Sequence, residues 1–305
     1  MSPLPARIAS SLAFLLTLIA CGEKRADTSD SAKIATGDVK PVLPVNPTNW
    51  NLEAGSVMVF PLGDGDSVGI VLPQATDSSL PLQELSAPRA DLTVDLVGRA
   101  GKIASGVVVS PITRNAVAAE CRSWPVGRIR PARVGWRVGF PAGRVNAIPL
   151  DSIEGMSSVD SASLANAITQ NVATLSSTSD SDFRGLPFRV RSAHTFRTDS
   201  IAGVIADVVR SVNEEANPRL EHLFVIAERP ARSTSNYRVA FFSRTAGAEE
   251  AAEITELLAF VLIGPSRRPA AVVNIEYDEG GKLGLLERTG SVQWRFRWRS
   301  AYTGC

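Results

Sequence analysis

Two stretches decide how this chain is read: Asp199–Val212, DSIAGVIADVVRSV, and Ala248–Ile263, AEEAAEITELLAFVLI. In the first, Ile201, Val204, Ile205, Val208 and Val212 recur at helical spacing. Asp199 stands where an N-cap would, and Asn217-Pro218 ends the run. In the second, Ile254, Leu257, Leu258, Val261 and Leu262 form one stripe. Glu249, Glu250 and Glu253 precede it, where a helix dipole is positive, and Gly264-Pro265 follows. Both patterns predict amphipathic helices. The segments 187–197, 220–227, 237–243 and 270–277 read as strands around them. The order from Pro187 to Tyr277 is then β-α-β-β-α-β.

That order is the split pattern of a ferredoxin-like sandwich, here followed by an extra hairpin over 283–287 and 292–299. Residues 50–150 read differently. Val57–Pro61 and Val68–Leu72 flank the turn Gly63-Asp64-Gly65-Asp66. Leu92–Val97 and Ile103–Val109 flank a second turn at 99–102. Trp136, Val138 and Phe140 share a parity, and Pro141-Ala142-Gly143 leads into Val145–Ile148. Six short strands with Gly and Pro punctuation predict a small all-β sandwich or barrel. Leu164, Ile168, Val172 and Leu175 predict a helix over 159–176, and a polar stretch follows to Asp182. The expected class is therefore α+β. A β-rich domain at 49–150 precedes a helix and linker at 151–182 and an α+β domain at 183–305.

The N-terminus carries an address. Arg7 and the α-amine form a short positive region, and 8–19 is an apolar run interrupted only by Ser10, Ser11 and Thr17. Such a run suits a signal peptide and is short for a membrane span. It ends in Leu18-Ile19-Ala20-Cys21, which resembles the lipobox of bacterial lipoprotein precursors. The resemblance implies a signal peptide at 1–20 and acylation of Cys21. Gly22 rather than Asp after the cysteine resembles the sorting pattern of diderm bacteria that favours the outer membrane. Residues 21–48 mix charges, Ser, Thr and Gly, then carry Pro41, Pro44 and Pro47. They read as a flexible tether that would hold a folded body off the bilayer. The expected membrane partner is reached through the Cys21 lipid.

Charge and cysteine counts narrow the chemistry. The 32 basic and 31 acidic residues nearly cancel, so no overall field draws the chain to nucleic acid. The lipid takes one of the 3 cysteines and leaves Cys121 and Cys305 as a candidate disulfide in an oxidising compartment. Those two thiols and the distant His194 and His222 lack metal-ligand spacing. There is no phosphate-binding glycine loop of the P-loop or GxGxxG kind, and no cofactor is expected. Gly65-Asp66-Ser67-Val68-Gly69 and Ser192-Ala193-His194-Thr195 faintly resemble the serine and histidine motifs of trypsin-like proteases. Their order along the chain is reversed, and Val68 stands where that family has glycine. Asp64-Gly65-Asp66 lacks the further oxygens a calcium ion needs.

Two features point to partners. Arg122, Arg128, Arg130, Arg133, Arg137 and Arg144 lie in a stretch with no acid, and Arg184, Arg189, Arg191 and Arg197 form a second run. Guanidinium forks suit phosphate and carboxylate. Arg128, Arg130, Arg133, Arg137, Arg189 and Arg191 are thus candidates for an anionic lipid or glycan. The alternative is that they line the solvent faces of strands. In Trp294-Arg295-Phe296-Arg297-Trp298-Arg299, strand period places the aromatics on one face and the arginines on the other. The preferred functional expectation is a lipid-anchored, non-catalytic envelope protein for binding or assembly. The alternative is an envelope hydrolase with dispersed catalytic residues.

The disulfide is checked by thiol titration of the unfolded mature protein. Reduction is expected to expose two more thiols, and equal counts with and without reductant would refute the bridge.

Overall fold

Strand β10 (Ile201–Val212) is buried on both faces over nearly its whole length, as is β11 (Arg219–Pro230) beside it. The computed structural model describes residues 48–63, 65–75, 92–113, 123–175, 181–212, 217–277 and 279–304. Cys21, Cys121, Cys305, the signal peptide and nearly all of the tether lie outside the described residues.

The architecture is mostly β and not α+β. Among the described residues there is one α-helix, α1 (Ser158–Leu175), over the stretch read as a helix. The two quoted stretches are strands. Asp199–Val212 supplies β10, and Ala248–Ile263 supplies a short 3-10 turn followed by β13 (Ile254–Ile263). No ferredoxin-like β-α-β-β-α-β unit exists.

The physical reason lies in layering. A closed barrel has the order β1-β2-β5-β4-β3-β6, from β1 (Met58–Pro61), β2 (Ser67–Val71), β3 (Leu92–Gly98), β4 (Gly101–Thr113), β5 (Val126–Arg130) and β6 (Val138–Pro141). Strand β7 (Val145–Ile148) leaves the barrel and pairs with β13. It joins a second sheet ordered β16-β15-β14-β13-β7, with β14 (Arg268–Tyr277), β15 (Gly280–Gly290) and β16 (Gln293–Arg299). Strand β17 (Thr303–Gly304) also pairs with β15. A third sheet runs β12-β11-β10-β9-β8, with β8 (Asp151–Ser152), β9 (Arg189–Arg197) and β12 (Arg238–Ala248).

Four cores fill the gaps between these layers. Val59, Ile70, Leu96 and Ile129 fill the barrel. Met58, Phe140, Val261, Val272 and Leu285 join the barrel to the β13–β16 sheet. Phe196, Ile205, Phe224, Phe260 and Trp294 join that sheet to the β8–β12 sheet. Ile168 and Val172 of α1 cover the far face, against Val204, Val208, Leu223 and Val225.

A strand covered on both sides is apolar at successive positions, so its period-2 signal vanishes. In β10, Ile201 and Ile205 face the sheet-to-sheet core while Val204 and Val208 face α1. In β13 the register shifts between Leu257 and Ala259, so Leu258 is an extra residue in the ladder. Leu257 and Leu262 therefore enter one core, and Leu258 and Val261 the other. This bulge imitates helical spacing. The Leu257 carbonyl there accepts from Arg99 Nε at 2.8 Å, and Arg99 Nη2 reaches Glu256 at 2.6 Å.

A bulge also corrects the reading of β16. Register shifts between Leu285 and Leu286, where Arg297 is the added residue. Trp294 and Phe296 consequently join one core and Trp298 the opposite one. Trp298 meets Trp50 edge-on at 4.8 Å and donates to the Pro73 carbonyl at 2.6 Å.

Glu228, on β11, fastens the two large sheets together. It is 2% exposed. Arg288 donates to it through Nε at 2.9 Å and Nη2 at 2.8 Å, the Trp294 indole at 2.8 Å and the Val292 amide at 2.7 Å. Burial alone would raise the pKa of this carboxyl. The bonds from Arg288, Trp294 and Val292 outweigh burial and hold it below the ordinary 4.5.

Glu228→Gln removes the buried charge that the half-buried Arg288, the Trp294 indole and the Val292 amide all address, and a loss of about 2 kcal/mol is expected in urea unfolding. A depressed carboxyl pKa stabilises the fold fully above the unfolded value near 4.5 and loses that contribution as pH falls. The wild type should therefore lose stability more steeply than the variant between about pH 5 and pH 3.

Candidate functional site

At one end of the sandwich, three turns and the edge of a sheet enclose an open cleft of about 690 Å³. The β9–β10 turn contributes Thr198, Asp199 and Ser200. The β13–β14 turn contributes Ser266, Arg267 and Arg268, and Leu262 forms apolar floor. The ends of β15 and β16 contribute Glu287, Arg288, Thr289, Arg295 and Arg297. Five guanidinium groups thus line one concavity, against the carboxylates of Asp199 and Glu287.

Local geometry explains each position. The apolar run of β13 ends at Gly264, whose φ of 63° opens a tight turn. The Arg267 amide closes that turn on the Gly264 carbonyl at 3.1 Å. Arg267 itself sits at φ 49°, a left-handed conformation uncommon for a residue with a Cβ. Arg295 stands directly opposite Glu287 in the β15–β16 ladder. The added residue of the β16 bulge is Arg297, which brings it to the same cleft.

The charges are unevenly satisfied. Arg288 is committed to Glu228. Glu287 is 1% exposed, accepts from Asn51 Nδ2 at 3.2 Å, and lies 3.5 Å from Arg268 and 3.9 Å from Arg297. Arg268 is also 3.9 Å from Glu53. Arg267 and Arg295 are exposed and have no ion-pair partner among the described residues. The cleft therefore offers guanidinium donors to solvent and suits an anion.

The six arginines singled out from the sequence sit elsewhere, and none of them lines this cleft. Arg128 and Arg130 share the outer face of β5, whose burial alternates, and Arg128 is 3.2 Å from Asp66. Arg133 is exposed on the loop after β5. Arg137 is exposed at a second crevice, of about 670 Å³, between the barrel and the β13–β16 sheet. Arg189 and Arg191 project from β9, in another sheet, with Arg191 3.8 Å from Asp207. The structure thus brings Arg128 and Arg130 together on one strand, and Arg189 and Arg191 on another, without gathering all six.

Arg267, Arg268 and Arg288 were missed in the sequence. The signal was the pair Arg267-Arg268 in a turn that directly follows an apolar strand. Arg295 and Arg297 were marked as the polar face of β16, and they are the ones that reach the cleft.

Ser67 and His194 do not form a catalytic pair. Ser67 starts β2 of the barrel, and His194 is buried on β9 opposite Ser152 and Ile205. Neither ring nitrogen of His194 has a hydrogen-bond partner among the described residues. Burial, and then the nearby charge of Arg99, lower its pKa below the ordinary 6.5, against the weaker opposite pull of Glu154. His222 is buried too, with Nε2 2.7 Å from Asp207 Oδ1. Among the described residues no group of three His, Cys, Asp or Glu side chains is placed to hold a metal ion.

No protein family, curated protein or solved structure matches this chain.

His194 supplies a pH test of the fold around the cleft's parent sheet. A histidine harder to protonate when folded leaves the native state with fewer protons than the unfolded chain. Its contribution is whole above the unfolded value near 6.5 and declines as pH falls through and below it. His194→Leu is expected to flatten the thermal stability profile between about pH 7 and pH 5. An unchanged slope would remove His194 from that profile.

Proposed function

We propose that the chain is a lipid-anchored envelope protein of non-catalytic type, whose folded body binds an anionic partner or assembles on an anionic surface. The observation that carries this reading is the arginine cleft. It is concave, about 690 Å³ in volume, and holds two exposed arginines with no ion-pair partner among the described residues. Ligand sites are commonly concave and of this size, with a few polar groups that set orientation. Guanidinium forks match carboxylate and phosphate oxygens in pairs, which favours anionic lipid headgroups or glycans as partners.

The anchoring part rests on Leu18-Ile19-Ala20-Cys21. An acylated Cys21 would confine the body to one membrane surface, with residues 22–48 as its tether. Confinement raises the effective concentration of a membrane-borne partner, so a cleft of modest intrinsic affinity would suffice.

Expression in a diderm bacterium with labelled palmitate tests the anchor, and exposure of the purified protein to anionic and zwitterionic vesicles tests the body. Cys21→Ser is expected to abolish labelling and release the protein from membranes. Retention on anionic vesicles should be strong at low salt and fall steeply by about 0.5 M, where the screening length is only about 4 Å. Retention that ignores salt, or no retention at low salt, would overturn the binding reading.

A further inference from the structure

The guanidinium groups of the cleft divide into two kinds. Arg288 gives its donors to Glu228 and is a structural tie. Arg267, Arg268, Arg295 and Arg297 donate no side-chain hydrogen bond to any described residue. The separations of Arg268 and Arg297 from Glu287, 3.5 and 3.9 Å, hold the charges near the carboxylate without consuming their N–H groups. Glu287 is 1% exposed, so it cannot swing out to follow a ligand.

We infer that this cleft seats a terminal phosphate, a tetrahedral dianion carried on a larger organic body. The inference rests on the binding reading above and names its ligand class. Arg267 and Arg295 grasp the dianion, while Glu287 holds Arg268 and Arg297 beside it as positioning residues.

Three observations favour phosphate over carboxylate. A carboxylate is planar, and one bidentate arginine satisfies it. Here the free guanidinium groups come from two separate elements, the β13–β14 turn and β16, and so reach an anion from different directions. That arrangement fits several oxygens disposed tetrahedrally. The rim also carries the hydroxyls of Ser200 and Ser266, which donate readily to phosphate oxygens. Finally, about 690 Å³ far exceeds the space a lone phosphate fills, so there is room for the body that bears it.

The experiment uses full-length protein in detergent micelles. Calorimetry measures binding of glucose 1-phosphate, with inorganic sulfate and acetate as competitors. Flotation with vesicles containing phosphatidic acid, a phosphomonoester, is compared with vesicles containing phosphatidylglycerol, a diester. Arg267→Gln/Arg295→Gln is expected to weaken glucose 1-phosphate at least about tenfold, the loss that goes with removal of charge-assisted bonds. Arg128→Gln/Arg130→Gln, on the outer face of the barrel, should leave it unchanged. Sulfate should compete and acetate should not.

Binding of glucose 1-phosphate without phosphatidic acid points to a soluble or glycan-borne phosphate, and the reverse to a lipid headgroup; either supports the seat. Equal binding by Arg267→Gln/Arg295→Gln and wild type, or displacement by acetate as effective as by sulfate, overturns it. If vesicle retention remains salt-sensitive in that case, the seat fails while the broader binding reading stands. If no anionic vesicle and no phosphate ester is retained at low salt, both fail.

Discussion

The central strands of the two large sheets, β10, β11 and β13, have almost no solvent face. The β8–β12 sheet lies between α1 and the β13–β16 sheet, and the latter lies between its neighbour and the barrel. Every residue on β10, β11 and β13 must therefore suit an interior on whichever side it points. Apolar side chains do so readily. Charged ones must bring partners with them, and the buried charges of these strands are arranged in that way. Glu221 is fully buried between Arg210 and Arg244, with Arg210 also over the Phe188 ring at 4.4 Å. Glu228 is met by Arg288, Trp294 and Val292. Such clusters contribute little net stability compared with apolar replacements, but removing one partner is costly, so they set the register in which the layers can close.

Two-sided burial also shapes the cleft. A stacked pair of sheets can expose functional groups only at its ends and edges. The turns β9–β10, β13–β14 and β15–β16 meet at one such end, and the arginines cluster there. Close packing just beneath, with Phe196 stacked on Phe260 at 4.2 Å and lying across Gly203, gives those turns a rigid base. A Cβ at Gly203 would come within 2.1 Å of the Phe196 ring, so the aromatic occupies space that only glycine leaves. Arginine positions at the rim inherit their precision from that base.

Much of the fold was legible and its class was not. Strands over 187–197, 220–227, 237–243 and 270–277 correspond to β9, β11, β12 and β14. Helix α1 keeps one face exposed, which preserves its period. The segments Asp199–Val212 and Ala248–Ile263 failed because β10 is covered on both sides and β13 carries a bulge. Strand β5 hid inside the arginine-rich stretch, where Arg128 and Arg130 alternate with Gly127 and Ile129. For the site, Arg295 and Arg297 were visible as a polar stripe, but their bulge was not, and Arg267-Arg268 looked like an ordinary turn.

What the sequence by itself determined is local. Residues 1–21 resemble an export and acylation signal, glycines and prolines mark the turns, and most strands announce themselves through short apolar runs. Which elements meet was decided by the tertiary structure alone. Strand β7 left the barrel for β13, Trp298 turned to the face opposite Trp294, and arginines from residues 267 to 297 converged on one concavity. The physical reason is that hydrophobic periodicity reports how many faces of an element are buried, and only while its ladder is regular. It does not report what buries them. Two covered faces erase the period and a single added residue inverts it, so layer order and cleft appear only when the sheets stack.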